Sequence, residues 1–358
     1  MPQHSRGAAT RQAHVALPDG TVEEEHGRGG FYGRASHLYR RNPPTGWTSI
    51  DGPLRPRALG LDEVAGDGVL PTVVLENDDV RVGVWALSDT PSWFLRDADG
   101  DLTLFVHVGT GRLETDYGPL DYHPGDYLVV PRGTTFRPRP AEPTRLLTVA
   151  TVAEIEPPDR GLLGRHALWD ESAVRVPDVD PQEEAGDFEV LVRQQGELTS
   201  IRYPFHPLDV VGWKGDLTAF ALHVDDLKPV SSYAYHLPPS AHTTFVAGEV
   251  VVCTFVPRPL ETAPDALKVP FYHRNIDYDE VIFYHHGDFF SRAGISPGMV
   301  TWHPQGIHHG PHPKAVRNAG AKDFADEIAV MIDARHPLEL TAAGGGVERE
   351  DYWASWQD

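Results

Sequence analysis

A single cysteine, Cys253, occurs among 358 residues, so no intrachain disulfide can brace the chain. It sits in the apolar run Val250-Val251-Val252-Cys253-Thr254-Phe255, the setting of a small core residue and not of a reactive thiol. Long apolar runs are missing as well: nothing approaches the roughly 18 uninterrupted apolar residues of a helical membrane span. The first twenty residues hold no apolar stretch of the kind a secretory signal needs, which sets the expectation of a soluble, cytoplasmic chain. Basic residues are few, 31 Lys and Arg against 52 Asp and Glu, for a net charge of −21. That charge repels phosphate backbones and anionic lipid surfaces, which excludes nucleic acid and membranes as expected partners. A small anionic ligand is not excluded, because a cation inside a pocket acts locally while salt screens the distant charge.

What is present in quantity is turn chemistry. Thirty-two prolines and 34 glycines are spread along the chain between short runs of Val, Ile, Leu and aromatic residues, the pattern of an all-β sandwich or barrel with few short helices. Strands are expected at 72–75, 80–85, 102–108 and 127–130 in the first half, and at 218–224, 250–255, 281–284 and 299–302 in the second. The acidic, proline-bearing stretch from 170 to 187 reads as a surface connection. It divides the chain into an N-terminal domain, 1–170, and a C-terminal domain, 171–358.

One unit recurs. Gly125-x5-Pro131-x-Gly133 returns as Gly298-x5-Pro304-x-Gly306, and the strand and turn upstream of each also match, Leu104 to Gly109 against Ile282 to Gly287. In the second copy the turn leads into His308 and His309, while His273-Arg274-Asn275 precedes the upstream strand, with Glu280 seven residues beyond His273. Strand alternation turns adjacent side chains to opposite faces, so only one of His308 and His309 can serve the same site.

Gly298-x5-Pro304-x-Gly306-x2-His309 resembles the second cupin motif, and His273-x-Asn275-x4-Glu280-x6-Gly287 resembles the first, with Asn275 in place of its second histidine. The resemblance implies a bicupin of two jelly-roll-type barrels, with His273, Glu280 and His309 as metal ligands. Two histidines and one carboxylate form the facial set suited to non-haem Fe(II), with three positions open for substrate and oxygen. In the first copy Leu102 stands where Glu280 stands and Phe136 where His309 stands, so the N-terminal domain is expected to hold no such metal.

More narrowly, His273-Arg274-Asn275, His309-Gly310-Pro311 and the early Gly33 to Tyr39 segment resemble the homogentisate 1,2-dioxygenase family, over most of the chain. The resemblance implies opening of a 2,5-dihydroxyphenyl acid by both atoms of O2, homogentisate to maleylacetoacetate, in tyrosine catabolism, by a homo-oligomer. By position His236 resembles the family's acid/base histidine and His303 the one near the substrate hydroxyl. Where the family carries a tyrosine and a lysine for the substrate acid, this chain has Phe289 and Arg292; an arginine can hold both oxygens of a carboxylate as a fork. That change admits another dihydroxyaromatic, such as gentisate or a hydroquinone. A metal-binding cupin that isomerises sugars or merely holds a ligand is the reading from another class, because this superfold hosts many functions. The Arg34 to Tyr39 stretch reads as a packing segment outside catalysis.

Overall fold

Strands dominate the computed structural model, which describes residues 4–268, 271–318 and 322–357. The short apolar runs become Thr72–Glu76, Val80–Leu87, Asp101–Val108 and Asp126–Val130 in the first half, and Phe220–His223, Val250–Phe255, Asp279–Gly287 and Met299–His303 in the second. Among the described residues the α-helices are Pro313–Asn318 and Ala342–Gly345, and no helix is long and apolar enough to cross a membrane. The chain is an all-β bicupin of two jelly-roll-type barrels.

The repeat is visible in the hydrogen bonding. In the first barrel Asp101–Val108 lies between Asp126–Val130 and Thr144–Thr151, with Val80–Leu87 beyond. In the second, Asp279–Gly287 lies between Met299–His303 and Glu327–Ala334, with Val250–Phe255 beyond. Gly125 and Gly298 open matching strands with φ of 94° and 83°, and a Cβ on Gly298 would collide with the Asp62 carboxylate.

The halves also trade strands, which corrects the expected seam. Ala185–Gln194 runs parallel to Trp93–Asp97, and Phe220–His223 pairs with Asp126–Val130, so residues beyond 171 complete the first barrel. In return Arg57–Gly60 pairs with Met299–His303, and Val22–Gly27 runs parallel to Tyr272–Asn275. A cut at residue 170 would sever these sheets. Composition marks a surface connection but carries no information about which open sheet edge the next strand will cover.

Alternation explains why the barrels differ inside. Leu102, Leu104 and Val106 point into the first barrel and pack with Trp85, Leu113 and Phe136, filling it with apolar side chains. On the equivalent strand of the second barrel Glu280, Ile282 and Tyr284 line a cavity, while Val281 and Phe283 join the large core shared by both barrels. Equivalent residues meet across that core: Phe105 packs edge-on against Phe283 at 6.2 Å, and Nδ1 of His107 lies 2.9 Å from Nδ1 of His285. The repeats are therefore related by an approximate two-fold axis through this point.

Burial holds the His107 imidazole below its ordinary pKa, and burial together with His107 pushes His285 down to about 3. Unfolded histidines take up protons near pH ~6.5, so between that value and about 3 the folded chain binds fewer protons and loses stability as pH falls. Replacing the pair in the variant His107→Leu/His285→Leu should make that loss shallower. Urea midpoints at about pH 7.5 and about pH 5 measure it, and an unchanged difference between them would remove the pair from the acid response.

Candidate metal centre

Two histidines far apart in sequence are tied together by their own backbones. The His273 N–H donates to the His309 carbonyl at 2.9 Å, and the His309 N–H donates back at 3.0 Å. Their rings then stand 4.0 Å apart. Nδ1 of His273 donates to the Phe271 carbonyl at 2.9 Å, and Nδ1 of His309 faces the Ile307 carbonyl at 3.3 Å. These contacts leave both Nε2 lone pairs free, and they lie 3.5 Å and 3.6 Å from Oε2 of Glu280.

Glu280 is placed by strand register, directly opposite His303. Its second oxygen, Oε1, accepts from Nδ1 of His303 at 2.8 Å, and the His303 ring stacks on His309 at 4.4 Å. All four side chains are buried. His308 turns the other way, its Nε2 3.0 Å from Glu24, as alternation requires.

Electrostatics sets the protonation states a metal needs. Burial pushes the Glu280 carboxyl up, but His309, His273 and His303 more than offset it and hold the group well below the usual carboxylate range. Burial, with His273 beside it, pushes His309 down to about 3. Glu280 is thus a carboxylate beside a neutral His309 imidazole. Nε2 of His309 is buried without a hydrogen-bond partner among the described residues. Donors about 2.1 Å from one ion lie about 3 Å apart at neighbouring octahedral positions, so a small contraction brings all three onto a shared metal. The residues fit such an ion and leave half of its coordination sphere open.

Beside the triad a cavity is lined by His236, Phe271, Tyr284 and Arg292 as well as His273 and Glu280. Nδ1 of His236 lies 2.9 Å from Oε1 of Glu261; burial pushes that carboxyl up, and His236 overrides the effect and holds it low. Arg292 is buried, with Nη1 donating to the Gly310 carbonyl at 2.9 Å and Nη2 4.0 Å from Oε1 of Glu280. Burial works against its charge, but Tyr284, Tyr352 and Glu280 outweigh it and keep the guanidinium charged.

Two residues expected to meet substrate do not line this cavity. His303 stands across the strand pair from Glu280 and spends its ring nitrogen on that carboxylate. Phe289 lies past the strand end and turns into a small core, packed on Tyr284 at 4.8 Å. Among the lining residues that the sequence reading did not single out are Tyr284, His242 and Arg258. Tyr284 shares the parity of Glu280 and was findable. His242 and Arg258 come from a helical turn and a short edge strand, where no period reveals direction. Burial, then Arg258, pushes His242 down to about 3, and its Nδ1 has no hydrogen-bond partner among the described residues.

Comparison with known proteins places this architecture. The family model described as homogentisate 1,2-dioxygenase N-terminal matches residues 79–224, and its C-terminal counterpart matches 223–358. A protein of Saccharolobus solfataricus, provisionally named as a dioxygenase, is 33% identical over 379 residues, covering 99% of this chain and 98% of that one. Homogentisate 1,2-dioxygenase of Bradyrhizobium diazoefficiens is 27% identical over 278 residues, 73% of this chain and 62% of that enzyme. The match thus spans less than two thirds of the latter's length. Among solved structures, a cupin 2 conserved barrel domain protein from Leptotrichia buccalis covers 78% of this chain and 96% of its own, with 7% identity and a TM-score of 0.36. Two family models laid end to end and a relative alike along its whole length establish that the chain belongs to the homogentisate 1,2-dioxygenase family.

Proposed function

We propose that this chain is an Fe(II)-dependent dioxygenase that opens the ring of a 2,5-dihydroxyphenyl acid with both atoms of O2, turning homogentisate into maleylacetoacetate. The reading rests above all on the convergence of two imidazole Nε2 atoms on one carboxylate oxygen at the wall of a cavity. Two histidines and a carboxylate with open positions are the donor set of non-haem iron oxygenases, whereas a structural zinc site closes with four ligands. When bound, the iron supplies the redox chemistry that lets O2 react with an electron-rich ring.

The protein's own groups do the rest. With Nδ1–H directed to Glu261, His236 keeps Nε2 as a base for the phenolic proton and can return it later. His303 fixes Oε1 of Glu280 and so leaves Oε2 to the metal; its role is positioning. Arg292, whose Nε carries no hydrogen bond, brings positive charge to the cavity for the substrate acid, and Arg258 stands on the same wall. A homo-oligomer in the cytoplasm belongs to the same reading. Because Phe289 and Arg292 replace the tyrosine and lysine of the family resemblance, gentisate and simple hydroquinones are the competing substrates.

Oxygen uptake after anaerobic Fe(II) loading tests metal, reaction and substrate together. Homogentisate should consume one O2 per ring, faster than gentisate or hydroquinone; iron-loaded protein that consumes none with any of the three would end the proposal. Variants separate the roles. His309→Ala should lose the iron, and His303→Ala should weaken its binding by about 10–100-fold. His236→Ala should retain full iron while turnover falls by about 10²–10⁴-fold, and wild-type turnover there would remove it as the base.

A further inference from the structure

The early segment set aside as packing carries a second ligand cluster. Val22–Gly27 and Ala35–Arg40 pair antiparallel with Glu25 opposite His37 and Glu23 opposite Tyr39. His14 folds back onto these strands and is fully buried, its ring stacked flat on Phe271 at 4.4 Å. Glu23 fixes it twice: Oε2 accepts from the His14 backbone N–H at 3.0 Å and from Nδ1 at 2.8 Å. The tautomer this selects leaves the Nε2 lone pair pointing onward, 3.7 Å from Oε2 of Glu25. That is too long for a hydrogen bond, and Nε2 has no other partner among the described residues. Nδ1 of His37, 3.4 Å from Oε1 of Glu23, makes no hydrogen bond among the described residues either.

We propose that His14, Glu25 and His37 form a second metal site, which binds a divalent first-row transition ion of the zinc type, with Glu23 as the carboxylate that orients His14. Donor atoms of the three ligands all lie within 4.8 Å of one another. Two donors of one tetrahedral ion with bonds of about 2.1 Å stand roughly 3.4 Å apart, close to the separation of Nε2 of His14 from the Glu25 carboxylate. A carboxylate holding the far nitrogen of a ligand histidine is the usual support of such sites. A plain hydrogen-bond network accounts less well for the cluster, because it leaves a buried imidazole nitrogen facing a carboxylate without a proton shared between them. Two imidazoles and one carboxylate suit zinc and its neighbours better than calcium or magnesium.

The site would clasp the N-terminal segment to the wall of the catalytic cavity. Phe271 lies between His14 and His236, 5.8 Å from the latter ring, and Glu25 pairs in register with His273 on the neighbouring parallel strand. None of its ligands belongs to the iron triad, so the two sites can be counted separately.

Metal-free full-length protein titrated anaerobically with Co(II), freed of excess metal and analysed for cobalt per chain decides the matter. Wild type should retain two equivalents, His309→Ala one, His37→Ala one, and the variant His309→Ala/His37→Ala none. His37 is partly exposed at a strand pair, so its replacement keeps the test sound where His14→Ala misfolds. One equivalent in wild type that vanishes in His309→Ala, or full wild-type retention in His37→Ala, overturns the second site. A single equivalent that survives in His309→Ala but vanishes in His37→Ala supports it while counting against the triad proposed for iron.

Discussion

A buried carboxylate with two imidazole nitrogens aimed at one of its oxygens is the constraint around which the second barrel is built. An isolated carboxylate in such a place costs several kcal/mol, roughly, so it persists only because His273, His303 and His309 surround it. The register sets a second carboxyl beside it: Asp333 lies opposite Glu280 on the other neighbouring strand, and burial, then Glu280 itself, pushes the Asp333 carboxyl well above its usual range.

The first barrel shows what the same frame does without that charge. Leu102 and Phe136 occupy the places of Glu280 and His309, and the interior closes over them with Trp85, Leu104 and Leu113. Apolar filling contributes about 1.5–3 kcal/mol per large side chain, which fits a barrel whose task is support. The second barrel forgoes part of that filling for a cavity, and its edges are covered by strands from the other half. Exchange of strands makes each barrel depend on the other, so the open, less densely filled one inherits rigidity from the closed one.

How much of this could be read from residues alone follows from which features are periodic. The expected strands, the Pro-x-Gly repeat and the parity that separates His309 from His308 all follow from local geometry, and each appears in the fold. The trading of strands was not legible, because an edge is closed by whichever chain reaches it. His303 was given a place beside substrate from position in a family, whereas register places it opposite Glu280 and ties it there. Phe289 lies outside the cavity for a related reason: two residues past the end of its strand it has no face assigned by period, and its ring joined the core beside Tyr284. His37 was visible only as part of a segment, since its partners come from residues 14 and 25 and meet it solely through folding.

Charge distribution bears on how the proposed substrate acid would sit in the cavity. The chain as a whole carries −21, yet that charge is spread over a surface where salt screens it within about 8–10 Å. Inside, the local charges are those of Glu280 and of the guanidinium groups of Arg292 and Arg258. Arg292 stands 4.0 Å from Glu280, and Arg258 holds Glu327 through one nitrogen at 2.9 Å, so each cation is partly compensated by its own acid. For the proposed substrate, an acid at one end and phenols at the other, this arrangement would favour the acid toward the guanidinium groups and the hydroxyls beside His236 and the open face of the triad. On that proposal, specificity would come from the distance between the two ends of the ligand, set along a wall that includes Phe271 and Tyr284.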